Sequence, residues 1–318
     1  MASQISSGPM SSTPPRTLLG WFSNQPYLLL SLTSLFWAGN IVLGRYVAGH
    51  VPPVTLSCVR WIGAFLLLLP FAWKPLRQDW PVIRRHVPLM LILALTGFAA
   101  NTVLAYWGLQ YTQALNALLI QSSGPLIVAL WSFVLLGIRL TWPQTIGIGI
   151  SLLGVLTILS RGDPVALTSI HLNKGDLIFT TALIIFGLYS VLAVKRPAIH
   201  PLTFMGFTSG YATVLLIPAV IAEAASGHTP SLSVNNALTL GYVAIFPSIL
   251  AYLFFNRGVE LIGANRAAPF FHLIPVFGSV LAIAFLGERP QLFHVAGYAL
   301  VLTGVVIAAR RTSAVAEA

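Results

Sequence analysis

Residues 39–70 read GNIVLGRYVAGHVPPVTLSCVRWIGAFLLLLP, and residues 187–218 read GLYSVLAVKRPAIHPLTFMGFTSGYATVLLIP. The two stretches align at a constant offset of 148 residues, which superimposes one glycine and two prolines. Beyond them the offset becomes 150 and continues to the end of the chain, for example from Pro125 to Pro275. A repeated spacing of this kind indicates an internal duplication.

The duplicated material is strongly apolar. Hydrophobic residues make up 57% of the 318 residues and charged residues 8%, and the mean hydropathy is +0.86. This composition is typical of integral membrane proteins and excludes a soluble domain. The net charge is +10. The basic residues of the chain are scattered between apolar runs and form no patch, so we expect no nucleic-acid partner.

Ten apolar stretches are long enough to cross a bilayer as helices, which predicts an all-α membrane protein. They lie at about 27–46, 54–73, 88–109, 115–136, 143–160, 175–194, 202–222, 236–258, 267–286 and 292–309. We therefore expect a first five-helix repeat at 25–160 and a second at 172–310. Residues 1–24 are expected to form a disordered tail, and residues 311–318 a C-terminal tail.

The distribution of lysine and arginine predicts the orientation. A cytoplasmic N-terminus leaves only Arg161, Lys174 and Arg289 in outer loops, as the positive-inside rule expects. Both termini are then cytoplasmic. Because each repeat has an odd number of spans, the two repeats cross the membrane in opposite directions. Inverted repeats are typical of secondary transporters, whose substrate site lies near the midplane between the repeats.

Corresponding spans share prolines and glycines. Pro125 and Pro275 hold matching places in the fourth and ninth spans, where a proline kinks the helix. Each kink is either a packing feature or a hinge for alternating access. Glycines seven residues apart in the fifth and tenth spans indicate either internal packing or a dimer interface. These glycines are Gly147, Gly154, Gly297 and Gly304.

Polar and aromatic residues inside the spans are candidate substrate contacts or interhelical hydrogen bonds. His272 is the most ionisable of them, with either a structural role or a role in substrate or proton binding. Arg60 is expected near the outer end of the second span, where it either snorkels to the surface or attracts a substrate carboxylate. No Asp or Glu is predicted deep in a span, which disfavours cationic drugs as the main substrate.

Motifs of other function classes are missing. The sequence contains no G-x-x-x-x-G-K-[ST], H-E-x-x-H or G-x-S-x-G, and its histidines show no metal-ligand spacing. We therefore expect no ATP-driven transport by this chain alone, no cofactor and no metal. An intramembrane enzyme is the more distant alternative to a transporter.

Short motifs in a fixed order carry a family resemblance. They are FWAGN at 36–40, GLQYT at 108–112 before an Ala-rich fourth helix, Pro125, and GERP at 287–290. In this order they resemble the drug/metabolite transporter superfamily of the EamA type, over nearly the whole chain. Within it the chain looks most like YddG-type amino-acid exporters of bacterial inner membranes. One departure is Gly137-Ile138-Arg139, where the family often has Gly-Glu-Arg.

The resemblance implies export of aromatic and other neutral amino acids by alternating access, facilitated or proton-coupled. A multidrug or other metabolite exporter is the alternative. The resemblance also implies a multi-pass protein of the inner membrane, with a cavity lined by the first, third, fourth, sixth, eighth and ninth helices. We expect the protein to function as a monomer. Pro125 and Pro275 are the predicted hinges. The predicted substrate-binding residues are Trp37, Asn40, Asn101, Gln121, Tyr189, Ser248, Tyr252 and His272.

Overall fold

The computed structural model describes residues 18–138, 141–163, 173–231, 233–262 and 268–309, which are helical apart from short links and contain no β-strand. Their α-helices are α1 Leu18–Phe22, α2 Pro26–Tyr46, α3 Pro53–Arg85, α4 Val87–Ala94, α5 Asn101–Tyr111, α6 Ala114–Gln121, α7 Gly124–Leu136, α8 Trp142–Leu159, α9 Lys174–Leu192, α10 Pro201–Ala225, α11 Val234–Ile245, α12 Ala251–Ile262, α13 Leu273–Leu286 and α14 Leu292–Ala309. The all-α prediction is confirmed. The predicted C-terminal tail and residues 1–17 of the N-terminal tail lie outside the described residues. Residues 18–24 were expected to belong to the disordered tail, but α1 occupies Leu18–Phe22, and Arg257 donates to the Ser23 carbonyl oxygen and to Asn24 Oδ1. A short helix of this kind is missed because it carries no long apolar run.

Many of these helices have the length and apolar character of membrane spans. Six continuous helical stretches qualify, and the α6–α7 pair, bent by 43°, would be a seventh. Shorter apolar helices cover 142–158, 270–286 and 292–304. Large apolar side chains such as Phe71, Ile221 and Phe285 are exposed on the outside of the bundle. An apolar exterior around an apolar core is what a lipid environment requires.

Helix α3 is longer than the sequence predicted. The second apolar stretch was expected to end at residue 73, but the helix continues to Arg85 through Pro75 and Pro81. Hydropathy detects only the apolar part of a helix, whereas this extension carries charged residues. The guanidinium carbon of Arg77 lies 4.7 Å from the Trp73 ring centroid, which stabilises the polar extension.

Helix pairs follow the internal duplication. Helix α2 packs on α12 and α13, and its counterpart α9 packs on α5 and α7. Helix α3 packs on its own counterpart α10, and α8 on its counterpart α14. Glycines make the α8–α14 contact close, because an added Cβ on Gly154 would lie 2.7 Å from the Gly297 carbonyl oxygen. An added Cβ on Gly304 would likewise overlap the Gly147 carbonyl oxygen. These four glycines therefore serve internal packing.

Corresponding helices are also interrupted at corresponding places. π-helical segments at Leu95–Ala100 and Phe246–Leu250 join α4 to α5 and α11 to α12. Pro125 lies in the first turn of α7, directly after the break from α6, and Pro275 lies in the first turn of α13, which follows the 3₁₀ segment Ala268–His272. The predicted kinks thus fall at breaks between helices, where proline's missing N–H costs little. Their role as hinges stays a prediction.

His50 and His86 mark opposite ends of the bundle. The His50 end holds the link between α2 and α3, and the His86 end holds the link between α3 and α4. At the His50 end, Glu223 accepts hydrogen bonds from the backbone N–H groups of Val54 and Thr55, at 3.1 and 2.8 Å. This carboxylate caps the N-terminus of α3 and ties α10 to it.

Candidate functional site

A cavity of about 470 Å³ lies in the centre of the bundle. Helices α2, α3, α5, α9 and α12 form its walls, together with the breaks before α7 and α13. The volume falls in the range of small-molecule sites. It is large enough for an amino acid and too small for a polymer.

Seven of the eight predicted substrate-binding residues line this cavity, and so do both predicted hinge prolines. The seven are Trp37, Asn40, Asn101, Gln121, Tyr189, Tyr252 and His272. Ser248 is the exception, since it is fully buried and lies behind the wall. Its hydroxyl donates to the Val243 carbonyl oxygen at 2.7 Å and accepts from Arg60. The binding roles of all eight stay predictions.

Arg60 is the charged residue of the cavity wall. Its side chain is 6% exposed and lines the cavity, so the expectation that it snorkels to the surface is wrong. Its Nε donates to Ser248 Oγ at 2.8 Å. Its Nη1 donates to Asn40 Oδ1 at 3.2 Å and to Tyr106 Oη at 3.1 Å. Helices α2, α3 and α5 and the second π segment therefore meet at one guanidinium.

Aromatic rings form two further parts of the wall. The Trp37 ring stacks on Phe271 with centroids 5.4 Å apart and lies 5.8 Å from Tyr252 and 5.9 Å from Phe255. Its indole N–H donates to the Pro247 carbonyl oxygen at 3.1 Å, which fixes the ring against the π segment. We call these four rings the Trp37 cluster.

The second aromatic part belongs to α9. The Tyr189 ring lies 5.6 Å from Phe186 and 5.9 Å from Phe98. Gly97, in the first π segment, lies so close to Tyr189 that an added Cβ would overlap the ring. The interruption of the α4–α5 span and its glycine thus make room for Tyr189 at the cavity.

Hydrogen bonds tie helices together at the His50 end of the bundle. Glu288 accepts from the backbone N–H groups of Ala114 and Leu115 at 2.7 and 2.8 Å, which caps α6 from the link between α13 and α14. Asp176 is fully buried and accepts from Thr112 and from Asn116 Nδ2.

Close backbone contact joins helices at this end as well. Gly108 and Gly175 bring α5 and α9 together so closely that an added Cβ on Gly108 would lie 2.8 Å from the Gly175 carbonyl oxygen. These contacts hold α5 against α9 at the His50 end.

Sequence reasoning did not select several of these residues. Phe186, Phe255 and Phe271 read as ordinary apolar residues of a span, and only the fold shows which face lines a cavity. Asp176 was counted among acids outside the membrane interior, and it does lie in the first turn of α9, but it is completely buried. Its neighbours Lys174 and Gly175 gave no signal of that burial.

The described lining has one strong charge. Arg60 is the only lysine or arginine in the described lining, which contains no aspartate or glutamate. No group of three or more His, Cys, Asp or Glu side chains within the described ranges could hold a metal ion. The described lining offers a ligand hydrogen-bonding groups, aromatic rings and one cation.

A family model matches the chain twice, at residues 24–160 and at residues 173–310, and it describes the EamA-like transporter family. The chain belongs to this family. The EamA-like chain is thus a multi-pass protein of the inner membrane, and its family and relatives are transporters by name.

Relatives of this EamA-like transporter carry two kinds of name. An uncharacterized transporter, YyaM, of Bacillus subtilis is 27% identical over 89% of this chain and 92% of its own. A "Probable terminal-alkyne amino-acid exporter" of Streptantibioticus cattleyicolor is 27% identical over 89% of this chain and 93% of its own. A "Probable amino-acid metabolite efflux pump" of Salmonella typhimurium is 26% identical over 90% of this chain and 95% of its own.

A solved structure shares the fold. One crystal structure superimposes on 89% of this chain and 96% of its own length, with a TM-score of 0.58 and 18% sequence identity. At this identity the likeness concerns the arrangement of helices alone.

Proposed function

We propose that this transporter exports aromatic and other neutral amino acids across the inner membrane by alternating access. The central cavity is the observation that carries the proposal, since its described lining combines amides and hydroxyls with aromatic rings and contains no carboxylate. Such a lining suits a small zwitterion with an apolar side chain. The names of two relatives, an amino-acid exporter and an amino-acid metabolite efflux pump, support this substrate class.

The proposed architecture is ten spans in two inverted five-helix repeats with cytoplasmic termini. The two matched segments support it, as do the packing partners of α2 and α9, which correspond at the offset of the duplication. On this orientation the His50 end faces outward and the His86 end faces the cytoplasm. Substrate then enters from the His86 end and leaves after the His50 end opens.

Transport needs no energy source bound to this chain. If both conformations bind substrate equally well, export runs down the concentration gradient. Because the described cavity lining offers no carboxylate to carry a proton, we favour this facilitated mode, and His272 is the residue that proton coupling would require.

Flux into proteoliposomes tests the proposal. Radiolabelled phenylalanine, radiolabelled threonine and a cationic dye are supplied to the purified protein, with and without a pH gradient. Saturable amino-acid flux without the gradient supports facilitated export, and accumulation driven by the gradient establishes proton coupling. If only the dye moves, the amino-acid assignment is wrong and a multidrug exporter takes its place.

A pair of aromatic variants provides the control. Tyr252→Ala removes a ring and a hydroxyl from the cavity, and we expect flux to fall about tenfold. Trp142→Ala removes a ring that is 80% exposed at the start of α8, so its flux should match the parent protein. Equal losses in both variants would indicate a general defect and remove Tyr252 from the site.

A further inference from the structure

Arg60 is held in place by neutral groups alone. Ser248 Oγ, Asn40 Oδ1 and Tyr106 Oη accept its hydrogen bonds, and Tyr106 in turn donates to Asn40 Oδ1 at 2.6 Å. The guanidinium carbon also lies 4.7 Å from the Trp61 ring centroid. Each contact fixes the orientation of the guanidinium, and none neutralises its charge.

The donors of Arg60 are not all used. A guanidinium has five N–H donors. The hydrogen bonds to described residues engage Nε and Nη1 and leave the two donors of Nη2 without an acceptor among those residues. No carboxylate in the described ranges forms an ion pair with Arg60, since the ion pair found there joins Arg257 to Glu260.

A buried cation without a counter-ion is costly and is normally paired. Within membrane spans such residues face protein or a water-filled cavity and mark the path of a substrate. Arg60 meets this description, because it lines the central cavity while only 6% exposed. A ligand carboxylate at Nη2 would supply both the missing acceptors and the missing negative charge.

We propose that Arg60 binds the carboxylate of the transported molecule, whose apolar part packs against the Trp37 cluster. The proposal rests on the transport function above and specifies its substrate class. Tyr252 belongs to the cluster and lines the same cavity of about 470 Å³ as Arg60, so one small molecule can reach both parts of it. Asn40 and Ser248 are positioning residues, which act on substrate through the guanidinium.

The same cavity has no charged partner for an ammonium group. Its described lining contains no carboxylate, so an amine can meet amides, hydroxyls, an imidazole, carbonyl oxygens and ring faces but no negative charge. The carboxylate is therefore the recognised group and the amine is dispensable. Arylalkanoic acids without an amine should bind as amino acids do, whereas arylalkyl amines and amino-acid amides should not.

Competition by analogues tests this in the parent protein without any mutation. Phenylalanine, 3-phenylpropionate, phenethylamine and phenylalaninamide compete with radiolabelled phenylalanine for flux into proteoliposomes. We expect 3-phenylpropionate to compete within a few-fold of phenylalanine, and the two compounds without a carboxylate to be weaker by about tenfold or more. Effective competition by phenethylamine, or none by 3-phenylpropionate, would overturn the proposal.

Direct binding separates this proposal from the transport function. Purified protein is titrated with 3-phenylpropionate while its thermal stability and tryptophan fluorescence are recorded. Binding without phenylalanine flux would refute amino-acid export and retain the carboxylate site, which would then serve another organic anion. Flux of phenylalanine without any binding of 3-phenylpropionate would refute the carboxylate site and retain amino-acid export.

Substitutions assign the site to Arg60. Arg60→Lys keeps the charge and should retain the preference for 3-phenylpropionate over phenethylamine, while Arg60→Gln should reduce that preference about tenfold or more. Thr208→Ala is the matched control, because Thr208 is the fully buried counterpart of Arg60 in the second matched segment. An unchanged preference in folded Arg60→Gln would overturn the assignment.

Discussion

Arg60 and Thr208 hold corresponding places in the two matched segments, on helices α3 and α10 that pack against each other. Arg60 turns a charge toward the cavity. Thr208 is fully buried and donates to the Phe204 carbonyl oxygen of its own helix at 2.7 Å. The shared scaffold position thus holds a cavity-lining cation in one segment and a packing group in the other.

Backbone features, in contrast, recur in both segments. The π segments correspond, and the C-caps of α7 and α13 are Gly137 and Gly287, with φ of +66° and +65°. A left-handed C-cap strongly favours glycine, so both copies keep it. The difference teaches that duplication preserved what the fold requires of the backbone, while the side chains at the cavity diverged.

The largest effect should come from a glycine whose two copies meet different neighbours. A Cβ on Gly108 would lie 2.8 Å from the Gly175 carbonyl oxygen, which is backbone, whereas on Gly258 it would meet the flexible side chain of Leu30. We expect Gly108→Ala to cost about 3 kcal/mol and Gly258→Ala about 1 kcal/mol. Melting temperature and the monodisperse fraction in detergent measure both. Equal losses would show that the two positions are equivalent after all.

The next effect should be equal in the two segments. Gly154 and Gly304 each face backbone across the α8–α14 contact, as Gly108 does across α5 and α9, so alanine at either position should also cost about 3 kcal/mol by the same melting assay.

Gly149 provides the control for this pair. It lies on the same helix α8, and an added Cβ there meets nothing within 4 Å. Gly149→Ala should therefore leave the melting temperature unchanged or raise it slightly. A clear difference between Gly154→Ala and Gly304→Ala would contradict the symmetric packing.

Glu288 has no acidic counterpart, since Ile138 holds the corresponding place. Its carboxylate caps α6 through two backbone N–H groups, so Glu288→Gln should lower stability by about 1–2 kcal/mol. Glu260 pairs with Arg257 where its side chain is 64% exposed, and Glu260→Gln should change stability by less than about 0.5 kcal/mol. Comparable melting temperatures for the two variants would contradict the capping role.

Sequence periodicity and hydropathy were sufficient to predict where the helices lie, because apolar length is what a membrane span requires. They missed the extension of α3 to Arg85, since that part is polar and contains two prolines. They also missed the π segment Leu95–Ala100, because one extra residue in a helical turn leaves no compositional signal there, whereas a proline, Pro247, marks the interruption at Phe246–Leu250.

The site was predictable as a set of polar and aromatic residues but not as an arrangement. Ser248 and Asn40 are equally polar and both lie within spans, yet Ser248 supports Arg60 from behind the wall while Asn40 reaches the cavity. For Arg60 the sequence left two alternatives, snorkelling to the surface or attraction of a substrate carboxylate, because its distance from the span end allows either. Only packing shows that three neutral acceptors hold it inward.

The smallest expected effect is a change in flux that distinguishes two corresponding lining residues of different chemistry. Gln121 and Phe271 correspond at the offset of 150, and both line the cavity. Gln121→Ala removes one neutral hydrogen-bonding group, so flux of phenylalanine and threonine should fall about threefold each. Phe271→Ala removes a ring stacked on Trp37, so the flux of phenylalanine should fall about threefold while the flux of threonine stays unchanged. The ratio of the two fluxes is the measurement, because it cancels any change in folded protein. A ratio that stays constant in Phe271→Ala would mean that the Trp37 cluster does not contact the substrate side chain, and would leave Arg60 as the part of the cavity that selects substrate.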